Sequence, residues 1–163
     1  MVAIDRRGEY TVAEIARAAG AKPRSVQHWA ASGILLAIPQ TNRAGTGTPR
    51  LFAGDEAIVA CVMQALVARQ TPVGELLRVS YILRDQFLTR GFSRRGILGK
   101  IIRGEAQAWL VDFPEQDDPA WKLVIKGGGE SFETIFADMA STMVAIVIDL
   151  TAAFQGLREE ARE

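Results

Sequence analysis

Two short amphipathic helices separated by a single glycine stop constrain this chain more than any other stretch of its sequence. Thr11-Val12-Ala13-Glu14 has the form of a capping box, with threonine at the N-cap and glutamate three residues on. Val12, Ile15, Ala16 and Ala19 then share one helical face, while Glu14 and Arg17 point away from it. Gly20 ends the helix, because glycine readily takes the left-handed conformation at a C-terminus. Pro23 falls in the first turn of a second helix, where its missing N–H costs nothing. That helix carries Arg24, Ser25, Val26, Gln27, His28 and Trp29 and ends near Ser32 and Gly33. Two short helices around a tight glycine turn form the helix-turn-helix pattern.

The rest of the chain supplies what surrounds that pair. Residues 34–38 are an apolar segment leading into Pro39, residues 40–50 are turn-rich and carry Arg43 and Arg50, and Leu51-Phe52 resume apolar character. A strand, an exposed Gly/Thr/Arg loop and a returning strand predict a small hairpin, the wing of a winged helix. The loop by itself reads equally well as a mobile surface loop. Asp55 and Glu56 offer negative charge to the start of a third helix over about 55–69. Thr71-Pro72 precede a fourth over about 72–87, and a basic helix is expected over 93–103. Beyond residue 104 the period changes: residues 108–113 and 121–126 read as two strands of a hairpin, and residues 127–129 as a glycine loop. The β-branched run at 141–150 predicts a strand to about 149 and a helix to about 162. A continuous helix is the alternative, since Ala140, Met143, Val147, Leu150, Phe154, Leu157 and Ala161 step by threes and fours. The predicted fold class is α+β: an N-terminal winged helix-turn-helix with a following helical pair, then a small antiparallel sheet plus helix. The expected divisions are residues 1–88, a basic linker helix over 89–103, and an acidic dimerisation or effector region over 104–163.

The run from Tyr10 to Leu35, followed by Pro49-Arg50-Leu51-Phe52, resembles the DNA-binding domain of the MerR family of bacterial transcription regulators. Tyr10-Thr11-Val12, Ile15-Ala16 and Gly20 fit the family's first helix, and Arg24-Ser25-Val26 its arginine-led recognition helix. Gly33-Ile34-Leu35 fit the exit from that helix, and Arg50-Leu51-Phe52 the end of the wing. Gln27-His28-Trp29 stand where the family usually has Arg-Tyr-Tyr, and Pro49 where an aromatic is usual. The resemblance covers about half of the chain and implies DNA binding and transcription regulation, with RNA polymerase as a partner.

Composition narrows the alternatives. The chain has 163 residues, 48% of them apolar and 23% charged, enough for a real core and unlike a disordered or collagen-like chain. One cysteine, Cys61, and one histidine, His28, leave no material for a disulfide framework or a multi-cysteine metal site, so no metal or cofactor is expected. Cys61, on the apolar stretch of the third helix, reads as a buried thiol. No apolar run reaches a membrane span and the N-terminus lacks a signal-peptide core, so a cytoplasmic, nucleoid-associated location is expected, with no membrane partner. Charge is uneven: residues 1–52 hold seven Lys/Arg against three Asp/Glu, residues 84–103 six against one, and residues 104–163 four against twelve. Basic blocks beside an acidic tail suit a chain with one part facing a polyanion. Charge on a solvated face would look much the same.

The candidate DNA-binding residues are Lys22, Arg24, Ser25, Gln27, His28, Arg43 and Arg50, with Thr11, Arg94 and Arg95 as additional candidates. Arg24, on the first turn of the second helix, can donate two parallel hydrogen bonds to a guanine edge. Arg43 and Arg50 suit the minor groove or adjacent backbone, although Arg50 could pair instead with Asp55 or Glu56. Trp29 reads as core. Trp109, Phe113, Trp121 and Phe132 read as sheet core or as the lining of an effector pocket. No convergent set of catalytic groups is present, so an enzyme is not expected. The expected partners are double-stranded DNA and a second copy of the chain, since paired half-sites favour a homodimer. Two alternatives stay open: an architectural, excisionase-like DNA-binding protein, and an adaptor whose winged helix binds protein.

Overall fold

Local side-chain chemistry sets the first helix. In the computed structural model, which describes residues 8–42, 47, 49–85, 100–101, 105–112, 122–127 and 146–153, strand β1 (Glu9–Thr11) runs directly into helix α1 (Val12–Ala19). The Thr11 hydroxyl accepts from the Glu14 amide at 3.4 Å, and Glu14 Oε2 accepts from the Thr11 amide and hydroxyl, each at 2.8 Å. These bonds, that from the Thr11 amide foremost, hold the Glu14 carboxyl below its ordinary pKa. Gly20 stands at φ 62°, and the amides of Gly20 and Ala21 return to the carbonyls of Arg17 and Ala16. The chain thereby turns at once into helix α2 (Pro23–Ala31).

Strand β2 (Leu51–Ala53) lies antiparallel to β1, with Tyr10 opposite Phe52. Here the predicted hairpin needs correcting. Residues 34–38 form no strand and contribute a single bridge, Ala37 to Phe52. Their backbone donors are spent elsewhere: the Ile34 and Leu35 amides return to the Trp29 carbonyl at 2.8 and 3.1 Å, and the Leu36 amide goes to Glu56 at 2.9 Å. Only the Ile38 amide reaches the β2 backbone, at Leu51 O. The partner that β2 needs is supplied by β1, from before the helix pair.

Helix α3 (Gly54–Val67) is the central post, buried on nearly every side from Gly54 to Leu66, and it packs against α1 and against α4 (Val73–Ile82). Helix α4 continues through a wider, π-type turn at 83–85. Of the expected basic helix, Lys100 and Ile101 are helical and the remainder lies outside the described residues. The C-terminal sheet is antiparallel, ordered β4 (Lys122–Gly127), β3 (Ala106–Asp112), β5 (Ile146–Asp149). Strand β5 ends at Asp149, whose Oδ1 accepts from the Thr151 and Ala152 amides at 2.8 and 3.1 Å and so starts α5 (Leu150–Ala153). Strand-then-helix is therefore the arrangement at 146–153, and the continuous-helix alternative is excluded. Helix α5 packs against α3, and one hydrophobic cluster runs from Tyr10 through α3 to Ile101, Ala106, Ala108 and Leu150. The fold is α+β, and no helix among the described residues is long and apolar enough to cross a membrane.

Cys61 sits inside this core, 2% exposed, its Sγ 3.7 Å from the Ala18 carbonyl. Burial pushes its pKa up to about 12. The folded protein is expected not to react with a thiolate-directed disulfide reagent at mildly alkaline pH, and labelling is expected to follow unfolding as urea is added. Prompt labelling of the folded chain would contradict this packing.

Candidate nucleic-acid interface

Helix α2 is two-faced. Val26 and Trp29 are buried, 0% and 2% exposed, whereas Arg24, Gln27, His28 and Ala31 are all exposed. Their spacing of three, four and seven residues places them on one stripe of the helix surface. Lys22, the N-cap residue, is exposed beside them, and residues 21–33 contain no carboxylate.

The two helix starts differ in a way that bears on anions. At α1 the Thr11–Glu14 cap satisfies the first-turn amide of Glu14 and puts a carboxylate at the positive end of the helix. At α2 no side chain caps the first turn and no acidic residue lies in it. The dipole at its start favours an incoming anion, although the Ser25 and Val26 amides turn back to the Lys22 carbonyl, while α1 already holds a carboxylate. Thr11, an additional candidate contact, therefore has its hydroxyl engaged in the cap.

Open grooves flank α2 on either side. One, of about 480 Å³, lies between the start of α1, Gln27 and the segments before and after residues 43–48, with Thr41 and Arg50 on its wall. The other, of about 430 Å³, sets Lys22, Arg24, Ser25 and His28 against Gln70 and Thr71 of the α3–α4 turn. Seven of the candidates (Thr11, Lys22, Arg24, Ser25, Gln27, His28 and Arg50) thus line surface on or beside one helix. Arg43, Arg94 and Arg95 lie outside the described residues, as do Phe113, Trp121 and Phe132. Trp109 is 8% exposed, on the face of β3 opposite Ala106 and Ala108, which join the main core.

Two groups of residues escape a reading of the sequence. Gln70 and Thr71 reach the α2 groove only because α3 ends beside the start of α2. Gln70 holds φ 60°, a left-handed conformation that costs a non-glycine residue about 1 kcal/mol. The other group is an ion pair. Glu56 lies in the first turn of α3 as expected, but its ion-pair partner is Arg84 rather than Arg50, with Nε to Oε1 at 2.9 Å and Nη2 to Oε2 at 2.7 Å. Neither has a signal at short range, since the partners are 28 residues apart.

A separate exposed apolar stripe, Val73, Leu77 and Tyr81, runs along α4 with Leu36 beside it. Among the described residues, no three His, Cys, Asp or Glu side chains gather as a metal site. No protein-family model matches this chain, and no curated protein matches it in sequence.

Proposed function

We propose that this protein is a sequence-specific DNA-binding regulator of transcription that acts as a homodimer, inserting α2 into the major groove. One observation carries the reading: an exposed, carboxylate-free helix face bearing Arg24, Gln27 and His28, with an uncapped N-terminus and Lys22 beside it. Arginine presents two donors to a guanine edge, glutamine a donor and an acceptor to an adenine edge, and the dipole at the helix start suits a phosphate. Arg50 on one side and Gln70 on the other line the grooves in which a flanking sugar-phosphate backbone would run, while the Thr41 and Thr71 hydroxyls donate to the Ile38 and Leu66 carbonyls. The likeness of residues 10–52 to the MerR DNA-binding domain agrees with this use of α2, and it supplies the regulatory role, the expectation of polymerase as a partner and the location on the nucleoid. Two copies would read two half-sites about one helical turn apart.

Selection from random duplex DNA, followed by anisotropy titration of the winner and a scrambled control at two salt concentrations, tests the proposal. The selected duplex is expected to bind about a thousandfold more tightly than the control. Arg24→Ala is expected to lower affinity for the selected duplex by roughly tenfold to a hundredfold, the worth of one bidentate base contact, with less effect on the control. Weak binding to both duplexes that falls steeply with salt would replace the regulator by an architectural protein. Absence of binding to either would overturn the DNA reading.

A further inference from the structure

The exit of α2 is held by a charged clamp rather than by sheet pairing. Helix α2 ends at Ala31, and after Gly33 the Ile34 and Leu35 amides turn back to the Trp29 carbonyl. The next peptide groups are gripped from both sides. The Ile34 carbonyl accepts from Arg84 Nη2 at 2.6 Å, and the Leu36 amide donates to Glu56 Oε2 at 2.9 Å. Arg84 also binds both Glu56 oxygens, and its Nη1 lies 3.2 Å from Ser80 Oγ. Glu56 is 6% exposed and belongs to the first turn of α3, while Arg84 follows the end of α4. A hydrogen-bonded path therefore runs from the last turn of α2, through residues 34–36, to two helices outside the helix pair.

We infer that Arg84 is a positioning residue for DNA recognition, fixing the angle at which α2 is presented by holding the Ile34 carbonyl and the Glu56 carboxylate in one plane. The inference rests on the DNA-binding reading above. The chemistry requires arginine. A planar guanidinium binds a carboxylate with two nitrogens and still directs an N–H at a backbone carbonyl, which a lysine ammonium cannot reproduce. A buried ion pair is poor evidence for net stability, and its better-attested use is to specify one geometry among several. Base readout needs such specification, because recognition side chains must be held to within roughly half an ångström. Phosphate contacts tolerate more.

The test uses the full chain, the selected duplex and its scrambled control. Arg84→Lys keeps the charge and removes the planar fork. It is expected to reduce the ratio of selected to scrambled affinity about tenfold while scrambled binding changes less than twofold and thermal unfolding moves by only a few degrees. A role confined to stability would not produce that split. A double-variant cycle with Gln27→Ala gives a second readout. If Arg84 acts through α2, the two losses are less than additive, whereas independent roles give losses that multiply. Unchanged discrimination in Arg84→Lys, or equal losses on both duplexes, overturns the inference. Should Arg84→Lys not fold, Glu56→Gln, which keeps the shape and weakens the grip, is read by the same ratio, with a loss of about fivefold expected. Failure of the unaltered chain to discriminate is a different result, and it removes the DNA reading itself.

Discussion

Phe52→Ala is expected to destabilise the protein by about 3–5 kcal/mol, a large part of the roughly 5–15 kcal/mol that holds a domain together. Phe52 is 0% exposed and among the largest fully buried side chains. Its backbone is the hinge of the small sheet, paired with Tyr10 on one side and bridged to Ala37 on the other. Truncation removes the transfer energy of the ring and leaves a cavity that both flanking segments, fixed by those backbone bonds, are poorly able to fill. For a chain of this size the loss corresponds to a fall in Tm of about 10 °C or more. Phe52→Leu, which retains most of the apolar volume, is expected to cost about 1–1.5 kcal/mol. Urea and thermal unfolding followed by circular dichroism measure both. A loss below about 1.5 kcal/mol for the alanine variant would mean that the β1–β2 pair does not depend on this ring.

What was legible in the sequence was chemistry that acts over a few residues. The Thr11–Glu14 cap, the Gly20 stop, Pro23 at the start of α2 and the burial of Trp29 each follow from side chains near the feature they create. The same holds at the C-terminal end, where a β-branched run makes β5 and Asp149 stops it and caps α5. Hidden from it were features made by distant partners. Strand β1 is three residues long and exists because residues 51–53 pair with it. Residues 34–38 have the apolar pattern of a strand, yet the Trp29 carbonyl and the Glu56 carboxylate claim the amides that a ladder would need. Periodicity reports which side chains want burial. It does not report which acceptor a backbone donor will find.

The candidate interface divides along the same line. The exposed stripe of α2 could be read from Arg24, Gln27 and His28 because helical spacing alone puts them together. The groove walls could not. Gln70 and Thr71 belong to a turn whose position depends on the lengths of α3 and α4 and on how α3 packs. Arg50 lines a groove with Gln27 and Thr11, and Glu56, one of its conceivable partners in the sequence, is bound by Arg84.

That occupation makes Glu56→Ala the second large effect, with an expected loss of about 3 kcal/mol. Removing the carboxylate leaves a guanidinium without its main counter-charge and the Leu36 amide without its acceptor. Breaking one side of a buried pair costs about 3–5 kcal/mol. The Arg84 side chain is 19% exposed, so water can reach part of it, and the lower end of that range applies. The surface pair Glu75–Arg78, at 3.4 Å with side chains 31% and 39% exposed, is the internal control, and Glu75→Gln is expected to cost under 1 kcal/mol. Replacing both clamp residues, Glu56→Leu with Arg84→Met, removes the charges together, and most of the stability lost in Glu56→Ala should return. Urea midpoints at constant m-value report all three. Recovery of stability in the double variant without recovery of DNA discrimination would separate the two roles of the clamp: its charges are dispensable to the fold, and its geometry is what α2 requires.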